Sequence, residues 1–160
     1  MSSDNSDIGK LETDVEIKAS AEQFHNMFRH KPHHVAHASS EKIQGCELHE
    51  GEWGKVGSVV YWNYFHEGKA KVAKEIVEAI DEEKNLITFK VIEGDLMEHY
   101  KSIKFTIQAT PKSEGQLGSV IHWTIEYEKH HDEILDPHSM LEFATELTKD
   151  LENHLLEDTS

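Results

Sequence analysis

The chain has 160 residues, enough for one domain with a substantial core. Its 31 acidic and 16 basic residues give a net charge of −15 with neutral histidines, and such a charge repels phosphate backbones and anionic lipid surfaces. We therefore expect no nucleic acid partner and no integral membrane association. No stretch is apolar over the length that a signal peptide or a membrane span needs, which favours a cytoplasmic protein.

The N-terminal part predicts one strand followed by two short helices. Residues 1–9 are mostly polar and are expected to form a flexible tail. The next residues, 11–18, alternate between apolar and polar side chains, which is typical of a strand with one exposed face. Ser20 and Gln23 have the spacing of a capping box at the start of a short helix, and residues 33–37 fit a second short helical segment.

The middle of the chain predicts six further strands, each bounded by a short polar turn. Apolar and aromatic residues alternate with polar ones along these segments, so each strand has one face suited to burial. Turns recur about every ten residues, which favours an antiparallel meander. The predicted strands cover 41–50, 59–65, 70–80, 86–92, 100–109 and 121–127.

Residues 136–156 form the only long helical pattern in the sequence. Apolar residues recur there at spacings of three and four, which places them on one face. Asp136 is expected to cap this helix and Pro137 to occupy its first position, while residues 157–160 are expected to be frayed. One amphipathic helix against an antiparallel sheet predicts an α+β fold. The apolar stripe consists of Met140, Phe143, Ala144, Leu147, Leu151 and Leu155.

The loop between the second and third predicted strands contains three glycines, Gly51, Gly54 and Gly57. Glycine permits positive φ and close backbone approach. Neither of the two common phosphate-binding glycine patterns is present, and the flanking elements read as strands rather than as a helix N-terminus. We therefore interpret this glycine-rich loop as a tight structural turn.

The remaining candidates for chemistry give weak signals. Cys46 is the single cysteine and is interpreted as a small packed residue. Five histidines lie between His25 and His37, but their spacing matches no pattern that fixes a metal geometry. We predict neither a metal site nor a cofactor.

Five segments carry a resemblance to a known family: His49–Ser58, Trp62–Tyr64, Ala73–Glu75, Glu78–Asp81 and Val91–Asp95. They resemble the motifs of the plant major latex proteins, within the Bet v 1 and pathogenesis-related class-10 superfamily. This resemblance extends over residues 10–156 and identifies them as one Bet v 1-like ligand-binding domain. The implied fold is a helix-grip, in which a seven-stranded curved antiparallel sheet is wrapped around a long C-terminal helix, with two short helices after strand 1.

The resemblance also implies a cavity between the sheet and the long helix. Members of the superfamily take up lipids, sterols, hormones or secondary metabolites there, and major latex proteins are associated with defence and stress responses. The aromatic pattern by itself would suit a solid core as well as a cavity. We predict a monomer that binds a small hydrophobic molecule through Phe28, Trp62, Tyr64, Ile87, Phe89, Phe105, Trp123, Tyr127, Phe143 and Leu147.

Departures from the superfamily's enzymes and receptors favour non-enzymatic binding. Alkaloid-forming members use a lysine on the last strand, whereas residues 117–128 contain none and His122 is predicted to face outward. Abscisic-acid receptors carry a gate sequence that is absent from His66–Ala70. Two alternatives stay open: a ligand-dependent interaction or signalling module, and a condensing enzyme or weak ribonuclease. For an enzyme, the candidate titratable groups are Glu98, His99 and Lys101.

Overall fold

The computed structural model describes residues 7–158. Seven strands and three α-helices make up most of this range, with 3₁₀ turns at Pro32–His34 and Asp95–Glu98. None of the helices within the described residues is long and apolar enough to cross a membrane. In chain order the elements are β1 (Ile8–Ile17), α1 (Ala21–His30), α2 (Val35–Ala38), β2 (Ile43–Glu50), β3 (Val59–His66), β4 (Lys69–Asp81), β5 (Leu86–Gly94), β6 (Tyr100–Pro111), β7 (Ser119–Lys129) and α3 (His138–Asp158).

All strands join one antiparallel sheet in the order β1-β7-β6-β5-β4-β3-β2. Strands β2 to β7 form the predicted meander, and β1 pairs with β7, from Ile8 opposite Glu128 to Ile17 opposite Ser119. Shifts of register in the β2–β3, β4–β5 and β6–β7 pairs mark bulges, which bend a sheet. The α+β helix-grip predicted from the sequence is confirmed.

The structure places the ends of β1 and α3 differently from the sequence prediction. Strand β1 begins at Ile8, inside the segment 1–9 that was predicted to be a tail, because β7 offers it a backbone partner there. Helix α3 continues to Asp158, beyond the predicted end of its regular part. Residues 1–6 and 159–160 lie outside the described residues, so the predicted tail and frayed end are not tested there.

The start of α3 also differs from the prediction. The helix begins at His138, and the Asp136 carboxylate interacts with β7. Its Oδ1 accepts a hydrogen bond from the Tyr127 hydroxyl at 2.9 Å and lies 3.2 Å from Lys129 Nζ. Both contacts lower the pKa of Asp136. Asp136 therefore links the start of the helix to the last strand and does not have the capping role that was predicted for it.

The core lies between α3 and the inner face of the sheet. The helix is buried along its apolar stripe, including Ala144, Leu147 and Leu151, as its three- and four-residue spacing predicts. The C-terminal half of α3 is hydrogen-bonded to the residues that directly follow β1 and α2. Glu152 accepts from the Lys18 backbone N–H at 2.6 Å, and Asp150 accepts from the Ser39 hydroxyl at 2.5 Å. These contacts fix the helix across the sheet and leave its first half above the aromatic residues.

Candidate functional site

An apolar cavity lies between α3 and the inner face of the sheet, with a volume of about 80 Å³. Strand alternation points aromatic side chains of β3, β5, β6 and β7 into it, and α1 and α3 close it from the other side. Eight of the ten predicted ligand-binding residues line this space: Phe28, Trp62, Tyr64, Phe89, Phe105, Trp123, Phe143 and Leu147.

The other two predicted residues do not line the cavity. Ile87 is fully buried in the core, opposite Ile107 in the β5–β6 pair. Tyr127 lies near the start of α3, where its hydroxyl donates to Asp136 and its ring packs edge-on against Tyr100 at 5.8 Å between ring centroids. For all ten residues, ligand binding itself stays a prediction.

Aromatic rings fill most of the space that the fold encloses. Trp62 packs edge-on against Phe89 with 6.3 Å between ring centroids, and Phe28 packs against Trp123 at 5.8 Å. Ligand pockets usually measure about 300–1,000 Å³, which is several times the 80 Å³ of this cavity. The cavity is therefore contracted relative to the large one that the family resemblance implies.

Glu75 on β4 is the one ionisable carboxyl among the described residues that line the cavity, and the sequence analysis did not select it. Its side chain is buried, and burial raises its pKa from 4.5 to about 8, while the neighbouring Trp62 indole opposes the shift. The pattern held a signal: Ala73 and Val77, two residues away on either side, are both apolar and buried on the same face. Glu75 is therefore largely protonated at neutral pH.

Two further polar groups at this wall lack partners. The Trp62 indole N–H and the Tyr64 hydroxyl are buried, and neither has a hydrogen-bond partner among the described residues. The indole influences the pKa of Glu75 without meeting hydrogen-bond geometry, so the close approach does not satisfy the N–H. Burial raises the pKa of Tyr64, and the nearby Asp95 and Glu75 carboxyls add to the effect. Buried polar groups without partners are uncommon in proteins and mark sites that a ligand can complete.

A larger groove, of about 730 Å³, lies outside the cavity beside the first turns of α3. Phe143 separates the two spaces, since it lines the cavity and its ring contacts His66, which lines the groove, at 5.6 Å between centroids. His66 is buried, and its burial lowers its pKa, as does the nearby Lys71.

The three titratable residues proposed for an enzyme lie outside the cavity. Glu98, His99 and Lys101 are exposed, and the Lys101 ammonium lies 3.5 Å from the Glu128 carboxylate. His122 faces outward as predicted, between Asp14 at 2.5 Å and Glu12 at 2.8 Å. The structure therefore does not bring the proposed acid–base group together inside the protein.

The glycine-rich loop is closed by contacts of its own. Gly51, Gly54 and Gly57 all have positive φ, between 84° and 92°, a backbone conformation that residues other than glycine rarely adopt. The Ser58 hydroxyl accepts from the Glu52 backbone N–H at 3.0 Å and donates to the Glu52 carbonyl at 2.6 Å. The geometry is that of a structural turn.

Cys46 and the histidines offer no reactive centre in the part of the chain that the structure describes. Burial raises the pKa of the Cys46 thiol, so the thiolate is suppressed. Within residues 7–158, no three His, Cys, Asp or Glu side chains meet in a group that could hold a metal ion. His33 is instead stacked on Trp53, with 4.5 Å between ring centroids.

A curved antiparallel sheet gripping one long helix, with an apolar cavity between them, defines the class of protein. Residues 6–158 match the model of the pathogenesis-related protein Bet v 1 family, and the chain belongs to that family. Within it, the chain is similar to the major latex proteins, as the sequence motifs indicate. MLP-like protein 31 of Arabidopsis thaliana is 61% identical over 150 residues, which cover 94% of this chain and 87% of the relative. The chain spans 44% and 48% of two longer Arabidopsis thaliana MLP-like proteins.

Solved structures support the same assignment. Major latex-like protein 151 from Panax ginseng superposes with a TM-score of 0.89 at 46% identity, covering 94% of this chain and 99% of that one. Norcoclaurine synthase from Thalictrum flavum, in complex with dopamine and hydroxybenzaldehyde, superposes with a TM-score of 0.75 at 18% identity, covering 98% of this chain and 92% of that one. The second likeness shows a shared fold alone.

Proposed function

We propose that the protein binds and carries a small hydrophobic or amphipathic molecule in the cavity beneath α3, without chemical conversion. The observation that carries this proposal is an apolar wall that contains buried polar groups without partners, Trp62 and Tyr64. A wall of this composition suits an apolar ligand body together with a few orienting hydrogen bonds. Membership of a ligand-binding fold family supports the same function.

The size of the cavity limits the affinity. A ligand that buries about 300 Å² of apolar surface gains on the order of 7 kcal/mol before ordering costs. Because the ligand-free cavity holds only about 80 Å³, side chains must first move apart. That rearrangement subtracts from the gain, so we expect affinities that are micromolar or weaker.

Phe143 is the side chain best placed to move. It lies between cavity and groove, and it is half-buried where most of the wall is buried. Rotation of its ring away from Tyr64, now at 5.9 Å between centroids, would join the two spaces. Ligand access through this point requires no separation of the sheet from the C-terminal half of α3.

A cavity-filling variant tests the proposal. In A144F a ring is added at a buried cavity position, and in the matched control A70F the same change is made at an exposed position on β4. We expect A144F to weaken binding of the neutral fluorescent dye prodan by about tenfold or more, and A70F to leave it unchanged. Circular dichroism establishes that both variants are folded at the assay temperature. Equal dye binding by A144F and wild type would contradict a ligand site in this cavity.

The physiological part of the proposal is a carrier role in plant defence or stress responses, in the cytoplasm and as a monomer. Native mass spectrometry of protein purified from plant tissue would detect a stoichiometric hydrophobic companion and report the oligomeric state. A ligand-dependent interaction module is the alternative. A pull-down with and without the identified ligand separates the two, because simple carriage requires no ligand-dependent partner.

An enzyme is the second candidate, and Glu75 is the observation that favours it. A buried carboxyl with a raised pKa inside a cavity is typical of general acids. Against it, the cavity wall has no lysine, and Lys129 at the end of β7 is engaged with Asp136. Incubation with dopamine and hydroxybenzaldehyde, followed by mass spectrometry, should show no condensation above the buffer rate. Turnover that E75Q abolishes would replace the carrier proposal.

A further inference from the structure

Three polar side chains come together at one part of the cavity wall. Trp62 and Tyr64 extend from β3, and Glu75 extends from the adjacent β4. In the antiparallel register Trp62 pairs with Ala73 and Val60 pairs with Glu75, so the carboxyl is the diagonal neighbour of the indole. The exposed fractions of Trp62, Tyr64 and Glu75 are 7%, 4% and 7%. We call these three residues the polar cluster.

Among the described residues that line the cavity, none is a lysine, an arginine or a histidine. Lys71 lies opposite Tyr64 in the β3–β4 register, but its ammonium is 3.2 Å from His66 Nδ1, and both of these residues line the groove instead. The ionisable groups that influence the cluster from other elements are the Cys46 thiol on β2 and the Asp95 carboxyl, which follows β5. Helices α1 and α3 contribute only apolar groups to the wall, among them Phe28 and Phe143. Within the part of the chain that the structure describes, the cavity wall therefore offers the cluster a carboxyl but no cation.

We propose that this cavity selects small amines with an apolar, preferably aromatic, body, and that the ligand ammonium binds the Glu75 carboxylate. The inference rests on the proposed function and names its ligand class. A carboxylate at this position can accept hydrogen bonds from the ammonium, from the Trp62 indole and from the Tyr64 hydroxyl, which satisfies all three buried groups. Aromatic walls also favour a cation close to their ring faces.

Other head groups leave the polar cluster less well satisfied. A carboxylate ligand would place a further negative charge near Glu75 and Asp95, and no cationic side chain among the described residues lines the cavity to offset it. An alcohol offers one donor and cannot supply the charge that an ionised Glu75 requires. An amine is thus the head group that complements both the hydrogen-bonding pattern and the charge of an ionised Glu75.

Proton balance follows directly from this proposal. In the free protein Glu75 is mostly protonated at neutral pH, because burial raises its pKa to about 8. The ammonium ion binds the carboxylate form, so Glu75 releases its proton to solvent on binding. Below the pKa of Glu75, the affinity for an ammonium ligand should therefore rise by about tenfold per pH unit.

The test compares three probes that share one ring: benzylamine, benzyl alcohol and benzoate. Displacement of prodan and titration calorimetry measure their affinities at several pH values between about 6 and 8, and calorimetry in two buffers counts protons. We expect benzylamine to bind at least about tenfold more tightly than the other two at pH 8, with about one proton released per ligand at pH 6. E75Q should abolish this preference. E78Q, changed on the same strand at an exposed residue paired with Lys104, should retain it.

The outcomes separate this inference from the proposed function. Equal or tighter binding of benzyl alcohol or benzoate at pH 8, or a benzylamine affinity that does not change with pH, would overturn the amine assignment. Prodan binding without displacement by any of the three probes would overturn it as well, while leaving the carrier function intact. Failure of prodan itself to bind would remove the carrier function. The probe comparison and the pH dependence need only the wild-type protein, so poor folding of E75Q would not prevent a decision.

Discussion

Trp62 on β3 and Trp123 on β7 line the same cavity, and their indole N–H groups differ in hydrogen bonding. The Trp123 N–H donates to the Thr148 hydroxyl of α3 at 2.8 Å, and that hydroxyl in turn donates to the Ala144 carbonyl at 2.7 Å. The Trp62 N–H has no hydrogen-bond partner within residues 7–158 and lies beside a buried carboxyl. The hydrogen bonds at Trp123 are therefore made within the protein, whereas those at Trp62 are not.

This difference predicts that the stability of the protein and its ligand binding depend on different residues of the same cavity wall. At Trp123, every strong donor finds an acceptor, which fixes α3 on the sheet. At Trp62, the protein carries the cost of desolvating polar groups without recovering it through hydrogen bonds. Changes near Trp123 should consequently affect unfolding, while changes near Trp62 should affect binding and the pH dependence of stability.

The largest expected effect is at Glu75. Its pKa is higher in the folded state than its usual 4.5, so the unfolded chain loses the proton first and stability falls as the pH rises from 4.5 to about 8. In E75Q the side chain at this position does not ionise, so this loss of stability with rising pH does not occur. The stability difference between E75Q and wild type should grow in favour of the variant by about 3 kcal/mol from pH 4 to pH 7, measured by urea unfolding.

E78Q is the control for this prediction, because Glu78 lies on the same strand but is exposed and paired with Lys104. Its difference from wild type should change less with pH than the difference measured for E75Q. If the stabilities of E75Q and wild type changed with pH in the same way, Glu75 would ionise normally. The contrast between Trp62 and Trp123 would then rest on hydrogen bonding alone.

The next effect is expected at Thr148, on the completed side. T148V keeps the shape of the side chain but removes the acceptor of the Trp123 N–H, at a fully buried position. Leaving that donor unsatisfied should lower the free energy of unfolding by about 1–3 kcal/mol. T145V removes a half-buried hydrogen bond from the Thr145 hydroxyl to the Leu141 carbonyl, so the free energy of unfolding should fall by less. Equal losses in the two variants would refute the role assigned to Thr148.

A direct comparison of the tryptophans gives a smaller difference. W123F and W62F remove the same volume, but only W123F removes a satisfied hydrogen bond. We expect W123F to cost about 1 kcal/mol more than W62F in urea unfolding, whereas W62F should impair prodan binding more than it impairs stability. A reversed order of stability would show that packing around the two rings, rather than hydrogen bonding, determines their contributions.

The smallest effect is expected on the outer face of the sheet. Asp14 and Glu12 hold His122 between them and raise its pKa, so its stabilisation is complete below the usual pKa of 6.5 and disappears as the pH rises through the higher folded value. Because the ring is partly exposed, H122A should cost only about 0.5–1 kcal/mol at pH 6 and less at pH 8. Thermal unfolding at the two pH values measures this, with H131A as an exposed control. A loss that increases with pH would contradict the assignment.

The sequence predicted the elements well because their patterns are local. Alternation at Ile103, Phe105 and Ile107 and the helical spacing of the α3 stripe define which faces are buried, and the family motifs supplied the order of strands. The sequence did not predict where α3 starts, because the Asp136 carboxylate pairs with Lys129 instead of capping the helix. No helical or strand pattern in the sequence relates these two residues.

The cavity could be predicted only in part. Its aromatic wall follows from alternation, but its volume depends on how the rings of Trp62, Phe89 and Phe143 share the space, which no local pattern encodes. Glu75 was overlooked because Val72 and Ile76, on the opposite face of β4, are apolar too. With apolar residues on both faces, the strand did not show that a carboxyl points inward.

The unfilled volume beneath α3 also has a mechanical consequence. The space of about 80 Å³ per molecule amounts to about 50 mL per mole, which is within the range by which protein volumes shrink on unfolding. Because the volume change of unfolding scales with such internal space, hydrostatic pressure should act against the folded state. A ligand that occupies this volume should make the protein less compressible, so the volume change of unfolding reports occupancy without any label.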